Sequence, residues 1–318
     1  MKLFVSLTSI FCLFSGLGAQ AAELVPWDHV VQTVSYKTLQ NGKVLSFNVY
    51  APEKHLEGPA PVHVYMHGGG WSRGRKEDVM SWVYRPVFER MSAAGVVGIS
   101  IDYRLLSFEN PDPNESIENC IEDTMDALRY IALNAEMLGI DPARIVVWGS
   151  SAGAHLTLIS VLSKEVFGGE TAHKHIPINP VCLVSWYAPH DHLAEAAIFL
   201  KTDLGTLIGH GDESALIQRF EPINYLTPSA PPMLLMHGLL DEIPAPIRFV
   251  ERAQEMKLDI TYIPVEGAGH VWKTAAKEPV PFILEIQDVT ADYMLMQLGL
   301  IEKQALPVRL PLSSLNSN

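Results

Sequence analysis

Ile145-Val146-Val147-Trp148-Gly149-Ser150-Ser151-Ala152-Gly153-Ala154-His155 is the stretch on which the fold turns. Four consecutive bulky apolar residues read as a strand buried on both faces, the kind found in parallel sheets. Directly behind them G-x-S-x-G opens an apolar, helix-like run to about Leu162. A serine at such a strand-to-helix turn is pushed out of the sheet's end, and the flanking glycines let the two backbones nearly touch. The pentapeptide alone is weak, since average Gly and Ser usage yields it by chance about 0.1 times in a chain this long. Its place behind a buried strand makes Ser151 a candidate nucleophile.

Outward from that turn, strand-like and helix-like segments alternate, which predicts an α/β fold with a mostly parallel central sheet flanked by helices. Val34–Leu39 and Val44–Tyr50 read as a strand pair joined at Asn41-Gly42, a hairpin signal. Further strands are expected at Pro61–Met66, Val96–Tyr103, Val181–Trp186, Pro232–Met236 and Ile260–Val265, with helices over Trp82–Ala94, Ser116–Leu138 and Pro281–Leu298. One long excursion, 188–230, has room for a small lid at most. The tail after Leu306 is expected to fray.

A second motif stands more than 80 positions upstream of Ser151: His67-Gly68-Gly69-Gly70-Trp71, following a strand. Successive glycines leave backbone N–H groups unshielded, so the loop can aim them at a developing oxyanion. Nucleotide binding is disfavoured, because Gly74 falls one place too late for G-x-G-x-x-G and no Walker Lys-Ser/Thr follows. A serine hydroxyl also needs a base, and the base an orienting carboxylate. Of the twelve histidines, His270 follows a strand in a Gly-Ala-Gly-His loop, the right class of place for a base. His173 and His175 sit in a polar connection. Asp241 ends the preceding strand's Met236-His237-Gly238-Leu239-Leu240 and can reach that loop. Glu242 competes, while Asp259 begins a strand at the wrong edge. His237 reads as a turn-shaping residue.

Together, His67–Trp71, Asp102-Tyr103-Arg104-Leu105, Gly149–Leu156, His237–Asp241 and Gly269-His270 resemble the α/β-hydrolases. The likeness is to the esterase branch near the hormone-sensitive-lipase-like and bacterial acetyl- or feruloyl-esterase groups. That resemblance implies an α/β-hydrolase fold with Ser151 as acylated nucleophile, Asp241 as orienter and His270 as general base, then acid. It also implies an oxyanion hole from the N–H groups of Gly69, Gly70 and Ala152, with Asp102 and Arg104 bracing the loop behind it. The implied reaction is hydrolysis of esters of short-chain or sugar-linked acyl groups through an acyl-enzyme. The alternatives are amide hydrolysis, arylformamidase-like or peptidase-like, and a non-catalytic binding protein on the same scaffold. The lipase-like branch carries an acidic residue where Ser150 stands and a glycine where Ala154 stands, so this turn is closer to the acetyl/feruloyl-esterase and arylformamidase-like groups. The segment after Leu105 lacks the branch's Ala-Pro-Glu, so no substrate pocket carries over. Trp71, Trp186, Tyr187, His190 and His192, each just past a strand's carboxyl end, are expected to rim the pocket or else to pack beneath the lid.

Composition narrows the rest. A formal charge of −13 disfavours nucleic acid as a partner, since phosphate binding needs a basic face. Lys2, the apolar run Leu3–Leu17 and Ala19-Gln20-Ala21 read as an export signal cleaved after Ala21. A single domain over 22–318, exported to a periplasmic or extracellular space, is then expected. The run is too short and too interrupted to span a bilayer, and no second apolar stretch of that length appears. Cys120 and Cys182 read as buried free thiols, although an oxidising compartment permits a bridge. His190-Asp191-His192 lacks an evident third metal ligand, and the expected chemistry needs neither metal nor cofactor.

Overall fold

The computed structural model describes residues 30–163, 166–168, 173–280 and 282–306. The expected export signal and the tail beyond Leu306 lie outside the described residues. The sheet begins with β1 (Val30–Thr38), β2 (Val44–Tyr50), β3 (Ala60–Met66), β4 (Val97–Ile101) and β5 (Ile140–Ser150). It continues through β6 (Cys182–Trp186), β7 (Met233–Gly238) and β8 (Ile260–Val265). Spatial order is β1-β2-β4-β3-β5-β6-β7-β8. β1 and β2 pair antiparallel, as do β2 and β4, and every later pairing is parallel.

Strict alternation along the parallel strands splits the core in two. Val62, Val64, Ile145, Val147 and Leu183 face one side, and Tyr65, Val146, Trp148, Val184 and Trp186 face the other. The first side is covered by α2 (Ile117–Leu133) and α4 (Ala152–Leu162), the second by α1 (Arg85–Ala93) and α9 (Ile283–Gln297). Burial on both faces explains the near-continuous apolar runs. It also places Cys120 and Cys182, both free and buried, on opposite sides of the sheet.

Several boundaries differ from those expected, each for a local reason. The helix expected over Ser116–Leu138 breaks at Asn134 into α2 and the short α3 (Ala135–Leu138), and Ser116 serves as the N-cap, accepting from Glu118 N–H. The helix expected from Trp82 starts at Arg85, with Pro86 in its first turn and a 3₁₀ turn, Lys76–Met80, ahead of it. The excursion 188–230 folds as α5 (Leu193–Leu200), α6 (Leu204–Ile208) and α7 (Glu213–Phe220). An unanticipated helix, α8 (Ile247–Glu255), buries Phe249, Val250 and Ala253. None of the described helices is long and apolar enough to cross a membrane.

A buried ion cluster ties β1 to α2 and to the segment after β4. Asp123, its side chain fully buried, receives Lys37 Nζ at 2.8 Å and a two-pronged Arg104 guanidinium at 2.7 and 2.9 Å. Asp126 takes the same ammonium at 2.6 Å. Removing one partner from such a cluster strands a buried charge, at a cost of about 3–5 kcal/mol.

Candidate active site

Ser151 stands where β5 gives way to α4, with φ +52° and ψ −122°. A non-glycine residue at positive φ is strained, and strain of this kind persists only where the surroundings over-determine it. Here they do: Ser151 N–H donates to Trp186 O at 2.8 Å and Ser151 O accepts from His155 N–H at 3.0 Å. The turn is too tight for side chains at its glycines. A Cβ on Gly153 would lie 2.1 Å from Met66 O, and one on Gly149 would lie 2.5 Å from Gly153 O.

Ser151 Oγ meets His270 Nε2 at 2.9 Å, and His270 Nδ1 meets Asp241 Oδ2 at 2.8 Å. The other Asp241 oxygen accepts the Ile243 N–H at 3.0 Å, which fixes the carboxylate's orientation. The turns after β7 and β8 press together, so that a Cβ on Gly238 would sit 2.2 Å from Ala268 O. That closeness brings residues 29 positions apart within hydrogen-bond reach. The His270 loop is anchored by Trp272, which is fully buried against Trp186 and Tyr187 at ring-centroid distances of 5.5 and 4.7 Å. Two consecutive residues, Val271 and Trp272, take positive φ to make the turn. His237 shapes the neighbouring turn through Nε2 to Ile243 O at 2.8 Å, and burial pushes its pKa down, so it donates as a neutral imidazole.

The glycine loop lies against Ser151: a Cβ on Gly68 would come within 3.3 Å of Ser151 Cβ. Gly69 and Gly70 carry φ of +113° and +60°. Among the described residues, the N–H groups of Gly69, Gly70 and Ala152 find no backbone carbonyl, and Ala152 is the first residue of α4, where the helix end is positive. Behind the loop, Tyr103 Oη donates to His67 O at 2.7 Å and its ring stacks on His67. Asp102 holds the following 3₁₀ turn through Lys76 N and Nζ at 2.8 and 2.7 Å. Arg104 braces α2 through Asp123 rather than the loop.

A cavity of about 510 Å³ opens over Ser151 and His270, walled by the glycine loop, Arg73, Tyr84, Tyr187, Phe199 and Leu200. Of the residues expected to rim it, Tyr187 stands in the wall, its ring 4.9 Å from that of His270. Trp71, Trp186 and His190 do not line it. Trp71 packs edge-on to His155 in the core, Trp186 donates Nε1–H to Thr290 Oγ1 at 2.9 Å, and His190 bonds Ser185 Oγ at 3.0 Å beside Phe249. A place just past a strand's end does not decide which way a side chain turns, and these three turn inward. His192 lies 3.4 Å from Asp191 and 3.7 Å from Glu195, away from the cavity lining. Phe199, 4.8 Å from His270 on the end of α5, and Tyr84, ahead of α1, come from segments that carry no motif.

A family model, BD-FAE, matches residues 47–258. The chain belongs to the BD-FAE family. The match runs from β2 to beyond α8 and takes in the glycine loop, Ser151 and Asp241. Among curated relatives, carboxylesterase NlhH of Mycobacterium tuberculosis is 37% identical over 150 residues, 46% of this chain and 42% of its own. Esterase LipC of the same organism is 27% identical over 230 residues, 67% of this chain and 53% of its own. The BD-FAE chain thus matches roughly half or less of the length of these relatives. Among solved structures, native esterase 2 of Thermogutta terrifontis superposes with a TM-score of 0.68 at 23% identity, covering 88% of this chain and 96% of that one. The fold is therefore that of the α/β-hydrolase esterases.

Proposed function

We propose that this chain hydrolyses carboxylic esters, with Ser151 as nucleophile, His270 as base and acid, and Asp241 as orienter. The observation that carries the reading is the unbroken hydrogen-bonded series from Ser151 Oγ and His270, both in the cavity lining, to the buried Asp241. His270 Nε2 takes the Ser151 proton as Oγ attacks the ester carbon. The oxyanion settles among the N–H groups of Gly69, Gly70 and Ala152, a donor set in which each member is worth about 10²–10³ in rate. His270 then gives its proton to the departing alkoxide, the C–O bond breaks, and an acyl-Ser151 remains. Water, deprotonated by His270, repeats the attack, releasing the acid and returning the proton to Ser151. The esterase and carboxylesterase names of the relatives support this chemistry. A complete triad argues against a binding protein on an inactive scaffold.

Short-chain or sugar-linked acyl esters are the substrates in this reading, and Lys2 to Ala21 directs export. The deciding assay is hydrolysis of p-nitrophenyl esters, from acetate upward, by the native protein and Ser151→Ala. Activity on short chains that drops by about 10⁴ or more in the variant is expected. Activity surviving in Ser151→Ala overturns the assignment. Failure on every ester with turnover of N-formylkynurenine moves the reading to amide hydrolysis. Intact mass of the protein recovered from its native compartment tests export: a chain starting at Ala22 is expected, and one retaining Met1 refutes it.

A further inference from the structure

Beside Ser151 lies a cluster of hydroxyl groups that acyl transfer does not use. The Tyr65 and Ser150 hydroxyls are 2.9 Å apart, Ser150 Oγ donates to Tyr84 Oη at 3.1 Å, and the Tyr84 and Tyr187 hydroxyls meet at 3.2 Å. Ser150 occupies the position next to the nucleophile where lipase-like relatives carry an acid, so this cluster stands in the place of a charge. Tyr65, Ser150 and Tyr187 are fully buried, whereas Tyr84 is half-buried and faces the cavity.

Burial decides which hydroxyls must find their partners inside the cluster. Each of the four carries one hydrogen and can both donate and accept. Tyr65 and Tyr187 each reach both Ser150 and Tyr84. Burial raises the pKa of the Tyr65 and Tyr187 phenols, which keeps both protonated. A buried donor left without an acceptor costs about 1–3 kcal/mol, so the hydrogens of Tyr65 and Tyr187 stay within the cluster. Tyr84 can accept from Ser150 and Tyr187 and turn its own hydrogen to the cavity. It is also the one phenol of the three with appreciable solvent access.

We propose that Tyr84 is a specificity-determining residue that donates a hydrogen bond to a substrate oxygen outside the scissile ester. The preferred substrates are then oxygen-bearing esters, such as those with an ether, hydroxyl or sugar oxygen near the reacting carbonyl, rather than plain alkyl esters. This rests on the ester-hydrolase reading of the same site and narrows its substrate class. Arg73 on the same wall is a further donor, and its guanidinium has no acceptor.

The test compares pairs that differ by one oxygen for one methylene. On the acyl side these are p-nitrophenyl methoxyacetate and p-nitrophenyl butyrate; on the alcohol side, 2-methoxyethyl acetate and butyl acetate, followed by acid release. Intrinsic reactivity and any general loss of packing cancel when the oxygen-to-methylene ratio of kcat/KM is compared between variant and native protein. In Tyr84→Phe the ratio is expected to fall on the order of tenfold in one of the two pairs, while Tyr187→Phe, which keeps the Tyr84 hydrogen, retains the native ratio. A ratio unchanged by Tyr84→Phe in both pairs, or one lost in Tyr187→Phe and kept in Tyr84→Phe, overturns the proposal with the esterase reading intact. A native protein inactive on all four esters overturns both.

Discussion

Ser151 shows how much of a site one residue's backbone can reveal. Its φ of +52° is the mark of a side chain held out of the sheet for use, and the sequence announces it through the glycines on either side. Asp241 and His270 were legible for the same reason, since each follows a strand at a loop whose neighbours are glycines or a tight turn. Trp71, Trp186 and His190 were misplaced because chain position gives the level of a residue but not its direction. Tyr84 and Phe199 carried no signal beyond being aromatic. The Asp241 role is checked by Asp241→Asn. An asparagine can keep the Ile243 N–H through its oxygen, yet presents an NH₂ where His270 Nδ1–H needs an acceptor. The imidazole then adopts the wrong tautomer, and kcat on p-nitrophenyl acetate should fall about 10⁴-fold with little change in thermal midpoint. A loss below tenfold would move the orienting role elsewhere, with Glu242 the first residue to test.

At the scale of elements, the helices between β6 and β7 contribute to the site through their first member. Leu200, at the end of α5, approaches the glycine loop so closely that a Cβ on Gly70 would lie 2.5 Å from Leu200 Cδ2. Gly70→Ala therefore meets both a positive φ and a collision, and kcat/KM should drop by about 10- to 100-fold if the loop shifts away from Ser151. Because the obstacle is the far end of a side chain, Gly70→Ala/Leu200→Ala should recover part of that loss. No recovery would mean that backbone strain alone sets the effect. At Gly69 the obstacle is Arg73 O at 2.1 Å, so no side-chain truncation can relieve an alanine there. This scale is also where the sequence was least well read. The α8 pattern, with Phe249, Val250 and Ala253 on one face, stands directly behind Pro244 and Pro246, residues that favour turns. β5 begins at Ile140, ahead of the apolar run that starts at Ile145: Asp141-Pro142 is turn-like in composition, but Ile140 pairs with Ala60 at the sheet's far end. The alternation of strands and helices survived these errors, since buried strands announce themselves by composition even where their ends do not.

For the whole molecule, stability against pH is set by groups buried in opposite senses. Burial lowers the pKa of His63 to about 3 and of His155 to about 4. The unfolded chain then binds more protons below about pH 6.5, so these histidines make stability rise as pH climbs to that value. Glu221 acts the other way. It caps the end of α7 at 8% exposure, and burial, with Asp191 and Glu195 adding repulsion against the pull of Arg248 and the Leu193 N–H, pushes its pKa up to about 7. An unfolded glutamate titrates near 4.3. Between those two values the folded chain holds a proton that the unfolded chain has released, so this contribution is present at pH 4, is lost progressively to about pH 7, and is flat beyond. The amount is on the order of 1–3 kcal/mol. The overall curve mixes both signs, which makes the difference between variant and native protein the informative quantity. Glu221→Gln keeps an oxygen for the Leu193 N–H and carries no charge. Its thermal midpoint relative to the native protein should rise steadily from pH 5 to pH 8, by several degrees in total, and then level off. Parallel curves across that range would show that Glu221 is ionised in the folded chain throughout, and would move the burden of the buried charge to Asp191, whose carboxylate oxygens accept no hydrogen bond among the described residues.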